Sequence, residues 1–207
     1  MDRRDRYRPL RKQFFLRDFS AADLERAGAI ALQIWGDEVG FIPPVLIPKV
    51  YDFLLRYYFD PDSPFNCAVT DDTGELCGFL LAHRKHSETP ALGLWLDDLT
   101  CEERFFVQIY KAYLDGNKKA EEQFLQKDEV LLLLFASLQK GCGALMMQEF
   151  ERRCREEKIS SILLWTDDTC NFHWYHKNNF TELCRFPAQP SLPGQALNTF
   201  IFRKNID

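Results

Sequence analysis

The sequence predicts a single α/β domain with a mixed central sheet and helices on both faces. The length of 207 residues is that of one ordinary domain, and no segment resembles a domain boundary. Hydrophobic residues make up 46% and charged residues 28%, which is the balance of a globular protein rather than a disordered one. Short apolar runs alternate with amphipathic stretches along the chain, so strands and helices are interspersed.

In the first half of the chain, local signals predict a strand, two helices and a hairpin. Ser20 offers a helix cap with an acidic capping-box partner at Asp23, and Gly36 ends the helix that follows. A second helix is indicated by apolar residues at helical spacing, and a turn sequence separates two β-type runs. The ranges are a strand at 14–19, the second helix at 50–57, and hairpin strands at 65–70 and 76–83 around the turn 71–74.

In the second half, a helical excursion at residues 86–128 precedes the central strand of the sheet. Thr100 and Glu103 repeat the capping signal within this excursion. Residues 129–136 are almost continuously apolar, as expected for a strand that is buried on both faces. The remaining elements are an amphipathic helix at 144–158, strands at 159–166, 180–186 and 198–203, a short helix at 168–177 and a loop at 187–194.

The charge balance disfavours nucleic acid as a partner. The net charge is −5 and the pI about 5.5, whereas nucleic-acid binding domains are basic. The exception is a basic N-terminal stretch, which we interpret as a solvated arm. It contains Arg3, Arg4, Arg6, Arg8, Arg11 and Lys12.

The hydropathy pattern predicts no association with a membrane and a cytoplasmic location. No apolar run reaches the length that spans a bilayer, and charges occupy the N-terminus where a signal peptide needs an apolar core. The seven cysteines form no paired framework, so free thiols are expected in a reducing compartment.

Two glycines follow the central strand where the next helix begins. The first N–H groups of a helix have no partner inside it and carry partial positive charge, and glycine lets a ligand approach them closely. Lys140 adds a full charge, and residues 144–148 contain no carboxylate that would compete for this end. The turn therefore fits a phosphate site, with a plain strand-to-helix turn as the alternative.

The order of elements and two motifs resemble the GNAT acyltransferase superfamily. Lys-Gly-Cys-Gly-Ala at residues 140–144 is similar to the pyrophosphate loop of that family. Asp-Thr-Cys-Asn-Phe-His-Trp-Tyr-His-Lys-Asn-Asn-Phe at residues 168–180 resembles its later motif, in which an Asn precedes a Tyr on an aromatic-rich helix. The resemblance covers residues 14–203 apart from the excursion. It departs at Leu138, where the family has Arg or Gln, and at Asn179, which replaces Gly.

The resemblance implies a three-layer α/β/α fold with the helical excursion as an insertion between the third and fourth strands. It also implies acetyl-CoA, or another acyl-CoA, as donor in a direct attack by an amine. The coenzyme's pyrophosphate would lie on the amides of residues 139–144 and its pantetheine arm along the central strand. Tyr175 would protonate the leaving thiolate, since a phenol with a pKa of about 10 keeps its proton at neutral pH. The implied cofactor contacts are Leu133, Leu134, Phe135, Ala136, Gln139, Lys140, Gly141, Cys142, Gly143, Ala144 and Asn171.

The acceptor is predicted to be a primary amine of a small molecule or peptide, and a homodimer is a further expectation. The amine must lose a proton before it attacks, and the candidate bases are Glu129, Asp97, Asp98 and His173. Trp95 with Asp97 and Asp98 suggests a lid that attracts a cation, with a solvated acidic helix start as the alternative.

Two rival interpretations remain. Cys170, His173, His176 and Cys184 match no common zinc spacing and do not converge on a helix, so no metal is predicted. The other rival is a non-catalytic GNAT-like module that binds acyl-CoA or acts through a partner. Leu138 favours this module, whereas Tyr175 favours the enzyme.

Overall fold

The structure is a computed structural model that describes residues 13–85 and 90–206. The predicted basic arm, and residues 86–89 at the start of the predicted insertion, lie outside these residues. Within them the chain forms a seven-stranded sheet of order β1-β2-β3-β4-β5-β7-β6. The strands are β1 (Phe15–Asp18), β2 (Cys67–Thr70), β3 (Leu76–His83), β4 (Glu129–Ser137), β5 (Ser161–Asp167), β6 (Thr181–Pro187) and β7 (Asn198–Asn205).

The sheet is mixed because one pair of neighbouring strands runs parallel. β4 and β5 are parallel, and all the other neighbouring pairs are antiparallel. Helix α5 provides the crossover from β4 to β5, as parallel neighbours require. The described helices are α1 (Leu24–Trp35), α2 (Ile47–Tyr58), α3 (Pro90–Asp97), α4 (Cys101–Glu122), α5 (Cys142–Glu156) and α6 (His173–Lys177).

Both predicted capping boxes are present at helix starts. The Thr100 N–H donates to Glu103 Oε2 (2.8 Å) and the Glu103 N–H donates to Thr100 Oγ1 (3.3 Å), which fixes the start of α4. The Ser20 N–H donates to Asp23 Oδ2 (2.8 Å), and the Arg17 guanidinium donates to both oxygens of that carboxylate. This second box opens a 3₁₀ turn, Ala21–Asp23, that leads directly into α1.

The helices lie on both faces of the sheet and form two hydrophobic cores. α1, α2 and α4 cover one face, where Tyr51, Phe53 and Phe79 are completely buried. α5 covers the other face and packs through Met146, Phe150 and neighbouring apolar residues. Burying each such side chain contributes about 1.5–3 kcal/mol. The architecture is the three-layer α/β/α fold with a mixed sheet, so the predicted fold class is confirmed.

The central strands separate halfway along their length. β4 pairs with β5 only from Glu129↔Ser161 to Leu131↔Leu163, although both strands continue beyond this point. On its other edge β4 carries a bulge, since Leu81 and Ala82 of β3 face Leu134 and Leu132, leaving Leu133 as the extra residue. A bulge bends its strand and increases the local twist, which directs the second half of β4 away from β5.

Of two predicted elements in the second half of the chain, one differs in detail from the structure. The described part of the insertion contains α3 and α4, as expected for helices between β3 and β4. The short helix predicted at 168–177 is confined to α6, because Asp167 organises a turn ahead of it. The Thr169 N–H donates to Asp167 Oδ1 (3.0 Å) and the Cys170 N–H to Asp167 O (3.3 Å). None of the helices in the described ranges is both long and apolar enough to cross a bilayer.

Candidate active site

A cavity of about 290 Å³ opens between the separated halves of β4 and β5. Its floor is the end of β4, and its walls come from α1, α2, α4, the end of β5 and the segment around α6. Leu192 of the loop between β6 and β7 closes one side. The aromatic and polar residues that line the cavity outside β4 are Trp35, Glu38, Tyr58, Tyr110, Tyr113, Trp165, Asp167, Cys170, Asn171, Trp174 and Tyr175.

The glycine turn lies at the end of β4, next to the cavity. Gly141 has φ of +101°, a conformation that residues with a Cβ rarely adopt, and it caps α5. The Cys142 N–H donates to Gln139 O (3.2 Å) and the Leu145 N–H to Gly141 O (3.1 Å). In the described part of the chain, no acceptor is bonded to the N–H groups of Gly143 and Ala144, so these two amides are available to an anion.

The side chains of the turn divide between the core and the solvent. Lys140 is exposed, and the first turn of α5 contains no acidic residue. Cys142 is completely buried in the core beneath α5, so its thiol faces away from the cavity. The Gln139 side chain donates to Cys77 Sγ (3.0 Å), and Leu138 packs against the other core. Neither Leu138 nor Gln139 therefore presents a free polar side chain to the turn.

The four β4 residues predicted to contact the cofactor all line the cavity: Leu133, Leu134, Phe135 and Ala136. The Leu138 N–H donates to Cys77 O of β3 (2.9 Å), which shows that Leu138 directs its backbone groups toward β3. Because neighbouring residues of a strand direct their backbone groups to opposite edges, Phe135 and Ser137 present theirs to the β5 side. At this level β5 has diverged, so an extended ligand could pair with these groups.

Tyr175 lies on the cavity wall and is held by aromatic packing. Its ring contacts Trp174, Phe180 and Phe202 at centroid distances of 5.5, 5.3 and 5.6 Å. Burial, with a smaller contribution from Cys170, raises the pKa of the Tyr175 phenol, so the hydroxyl keeps its proton at neutral pH. Asn171 of the same segment also lines the cavity, and Trp174 packs on Phe135 (5.2 Å).

The cavity wall contains two carboxyl groups that the sequence analysis did not single out. Glu38 belongs to the 3₁₀ turn Gly36–Val39 after α1, and Asp167 ends β5. Burial, reinforced by the charge on Asp167, raises the pKa of Glu38 to about 8. The Thr169 hydroxyl is within hydrogen-bonding reach of both carboxyl groups. The Tyr113 hydroxyl of α4 donates to Asp167 Oδ2 (2.5 Å).

These two residues carry only weak signals in the sequence. Asp167 lies at the carboxyl end of a strand with a parallel neighbour, which is the edge where α/β sheets bind ligands. Glu38 lies just beyond the C-terminus of a helix, where a negative charge is disfavoured by the helix dipole. Only the folded structure shows that these two residues lie at the same cavity.

The residues predicted for the acceptor do not line this cavity. Trp95 donates to Asp52 Oδ2 (3.1 Å) and stacks on Phe53, while Asp97 and Asp98 are exposed at the end of α3. His173 is also exposed, at the start of α6.

Glu129, the remaining candidate base, lies away from the cavity in a buried ion pair. It is buried where β4 begins, at the paired end of the two strands, and forms an ion pair with Arg203 (2.6 Å). The Gln126 N–H and the Ser161 hydroxyl also donate to its carboxylate. We therefore do not retain Glu129 as a base.

Two other chemistries find little support among the described residues. Cys170 lines the cavity, but burial and the charge on Asp167 raise the pKa of its thiol, which disfavours a thiolate nucleophile. Within residues 13–85 and 90–206, no three His, Cys, Asp or Glu side chains are grouped so that they could hold a metal ion.

Comparison with solved structures identifies the fold. The C-terminal condensation domain of Ebony, solved in complex with beta-alanyl-dopamine, has a TM-score of 0.66 at 12% identity, covering 94% of this chain and 100% of that one. A GNAT-family acetyltransferase from Staphylococcus aureus Mu50 has a TM-score of 0.54 at 15% identity, covering 94% and 100%. YncA from Salmonella typhimurium, solved with its cofactor acetyl-CoA, has a TM-score of 0.52 at 13% identity, covering 94% and 95%.

The chain thus has the fold of the GNAT superfamily, as the sequence resemblance predicts. No protein-family model and no curated protein matches the sequence. At these identities the similarity concerns the fold, and the chemistry has to be argued from the cavity.

Proposed function

We propose that this protein is an N-acyltransferase that moves an acyl group, in the simplest case acetyl, from acyl-CoA to a primary amine. The observation that carries the proposal is the separation of β4 from β5 directly beside the uncapped amides of α5. It combines an open strand edge with a helix start that attracts phosphate. The YncA structure with acetyl-CoA has the same fold, which supports the choice of donor.

The residues of the chain fit the two ends of such a donor. The N–H groups of Gly143 and Ala144, with Lys140 beside them, suit the diphosphate. The backbone groups of Phe135 and Ser137 suit the amide-containing arm. Acyl-CoA supplies a thioester. The amine nitrogen attacks its carbonyl carbon, a C–N bond forms, the C–S bond breaks with loss of a thiolate, and the nitrogen releases one proton.

Tyr175 is the proposed proton donor to that thiolate. Its raised pKa keeps the phenol protonated at neutral pH, so the hydroxyl can donate its proton to the sulfur as negative charge develops there. Because a thiolate whose own acid has a pKa of about 8.5 is a weaker base than the phenolate, the proton that the attacking nitrogen releases has to restore the phenol. The partly apolar wall around the phenol also excludes water, which strengthens the interaction with a developing negative charge.

A second candidate, a GNAT-like module that binds acyl-CoA without catalysis, is favoured by one feature of the turn. Leu138 and Gln139 are both occupied by contacts within the protein. Among the described residues of the turn, the phosphate would therefore be bound by backbone groups and Lys140.

Thermal unfolding with and without acetyl-CoA tests the proposal. A ligand at about 100 times its Kd stabilises the folded state by about 2.7 kcal/mol, which raises the Tm of a domain of this size by about 5–10 °C. S-acetyl-pantetheine, which lacks the diphosphate, should have a smaller effect at equal concentration. CoA release is then followed with a panel of amines.

The outcomes separate the candidates. No stabilisation by acetyl-CoA and no CoA release would contradict both. Stabilisation without release of CoA to any amine would favour the non-catalytic module.

A further inference from the structure

The cavity contains two acids that the transfer chemistry above does not use. Glu38 and Asp167 both line it, together with apolar and aromatic residues. No Lys, Arg or His is among the described residues of the cavity wall. The two carboxyl groups therefore face a space that lacks a compensating positive charge from the protein.

The hydrogen bonds of the pair are unequal. Asp167 accepts from the Tyr113 hydroxyl (2.5 Å), the Thr169 N–H (3.0 Å) and the Thr169 hydroxyl. The Thr169 hydroxyl has one proton and can serve only one of the two carboxyl groups at a time. Asp167 is thus well supplied with donors, whereas Glu38 is left with few and has an acid as its neighbour.

This arrangement suits a ligand that brings both positive charge and several donors. A primary ammonium group has three N–H donors and one full charge, so it can bond to both carboxylates and cancel their repulsion. Burial and the charge on Asp167 raise the pKa of Glu38 to about 8, so at neutral pH this carboxyl holds a proton that an arriving cation would displace.

The rest of the wall suits an apolar body. Trp35, Tyr58 and Trp165 line the cavity with Tyr110 and Tyr113, whose rings lie 6.2 Å apart, and Tyr113 meets Trp165 edge-on at 5.8 Å. Aromatic faces attract a cation and cover an apolar or aromatic group. A second charge on the ligand would have no partner there, and a carboxylate would be repelled by the acidic pair.

We propose that Glu38 and Asp167 bind the acceptor as an ammonium ion, and that the acceptor is a small primary monoamine with an apolar or aromatic body. This inference rests on the proposed acyl transfer, because it names the acceptor of that reaction. Glu38 then takes one proton from the ammonium group. The N–H bond breaks, an O–H bond forms on Glu38, and the free amine keeps the electron pair with which it attacks.

Calorimetric titration of the full chain with 2-phenylethylamine at pH 7 tests the inference directly. Titrations in two buffers of different ionisation enthalpy count the protons exchanged. We expect binding with release of close to one proton, because the arriving cation drives Glu38 to ionise. Binding at least 10-fold weaker is expected for 2-phenylethanol (no charge), putrescine (no apolar body) and phenylalanine (an added carboxylate).

Two variants provide the matched comparison. Glu38→Gln keeps the shape of the side chain but should lower the affinity for 2-phenylethylamine at least 10-fold and abolish the proton release. Asp37→Asn removes a charge from the same turn at an exposed residue outside the cavity wall, and should leave both unchanged.

The results also distinguish this inference from the proposed function. Equal binding of 2-phenylethanol, preference for putrescine or phenylalanine, or binding without proton release would overturn the assignment of the acceptor. These measurements need no coenzyme, and the proton count uses the unaltered protein. Failure of acetyl-CoA to bind or release CoA concerns the proposed function alone.

Discussion

Glu38 and Asp167 show how the cavity sets the chemistry of individual residues. Each has an ordinary side chain, but Glu38 is partly buried beside another acid, whereas Asp167 receives bonds from Tyr113 and Thr169. Burial and the neighbouring charge therefore raise the pKa of the Glu38 carboxyl. Tyr175 is a third case, in which burial raises the pKa of a phenol and keeps it a proton donor.

The role of Tyr175 predicts a specific kinetic effect. Tyr175→Phe removes only the hydroxyl and keeps the ring contacts with Phe180 and Phe202. General acid catalysis is typically worth about 10²–10⁴-fold, so kcat should fall by about 10²-fold or more. The affinity for acetyl-CoA, measured by calorimetry, should change little. A variant that loses binding instead of turnover would show that the hydroxyl is structural.

Glu38 predicts a pH dependence of stability. The raised pKa means that between about pH 4.5 and 8 the unfolded chain has lost this proton while the folded chain keeps it. The folded state then binds more protons, so its contribution to stability is complete below about pH 4.5 and is lost as the pH rises through about 8.

Glu38→Gln lacks this titration, so its Tm should rise relative to the original protein as the pH increases from 5 to 8. The difference at pH 8 should be on the order of 1–3 kcal/mol, after allowance for the partial exposure of the side chain. Thermal unfolding at several pH values measures it, with Asp37→Asn as the control. Parallel pH profiles for Glu38→Gln and the original protein would contradict the raised pKa.

At the scale of elements, the glycine turn and α5 form one unit. The left-handed Gly141 turns the chain sharply out of β4, and α5 begins at the next residue. The first turn of α5 is without acids, and its basic residues Arg153 and Arg155 lie in the last turn, so the charges follow the helix dipole. The sequence shows this pattern directly, because every part of it is local.

Gly141→Ala tests the backbone requirement of this turn. A side chain at φ of +101° is strained by about 1–3 kcal/mol, so the Tm should fall and the response to acetyl-CoA should weaken. Gly93→Ala in α3 is the matched control, since no atom lies within 4 Å of the added Cβ and alanine favours a helix. Its Tm and its response to acetyl-CoA should be maintained. If Gly141→Ala kept both the original Tm and the full stabilisation by acetyl-CoA, the left-handed turn at Gly141 would be contradicted.

Contact between α4 and the loop after β6 predicts a second sensitive glycine. A Cβ on Gly116 would lie 2.3 Å from Gln189 O, and backbone cannot move aside as easily as a side chain. Gly116→Ala should therefore destabilise the protein by about 1–3 kcal/mol by denaturant unfolding. The same loop carries Leu192 of the cavity wall, so activity should fall more steeply than stability. A stable and fully active variant would mean that the loop tolerates displacement.

At the scale of the whole molecule, the sheet is opened at its centre. Leu133 is an extra residue in β4, and the parallel pairing ends two residues before it, at Leu131. The two cores stay intact because the helices on each face still cover both halves of the sheet. The gap therefore exposes backbone groups in the middle of an otherwise buried strand, where a ligand rather than a neighbouring strand can satisfy them.

Hydrogen exchange provides a test of this opening. The amides of Leu134 and Ala136 face β3 and should be protected in the free protein, whereas those of Phe135 and Ser137 face the gap and should exchange faster. Acetyl-CoA should slow exchange at the second pair and leave the first unchanged. Uniform protection along β4 in the free protein would argue against a separated pair of strands.

The sequence by itself determined most of the elements, the three-layer fold and the local features of the site. Capping at Thr100, the apolar run of β4, the glycines at 141 and 143 and the aromatic segment around Tyr175 are all readable because each depends on neighbours along the chain. The predicted acceptor residues around Trp95 followed the same local logic, but their charges and rings are not in the cavity.

Only the tertiary structure decided where the acidic pair lies and how the sheet opens. Glu38 follows α1, Asp167 ends β5 and Tyr113 belongs to the insertion, so their meeting depends on how three distant segments pack. The strand separation likewise arises from a bulge in the pairing of β4 with β3. Long-range contacts of this kind leave no periodic signal in the chain, because burial and neighbouring charge are properties of the assembled fold.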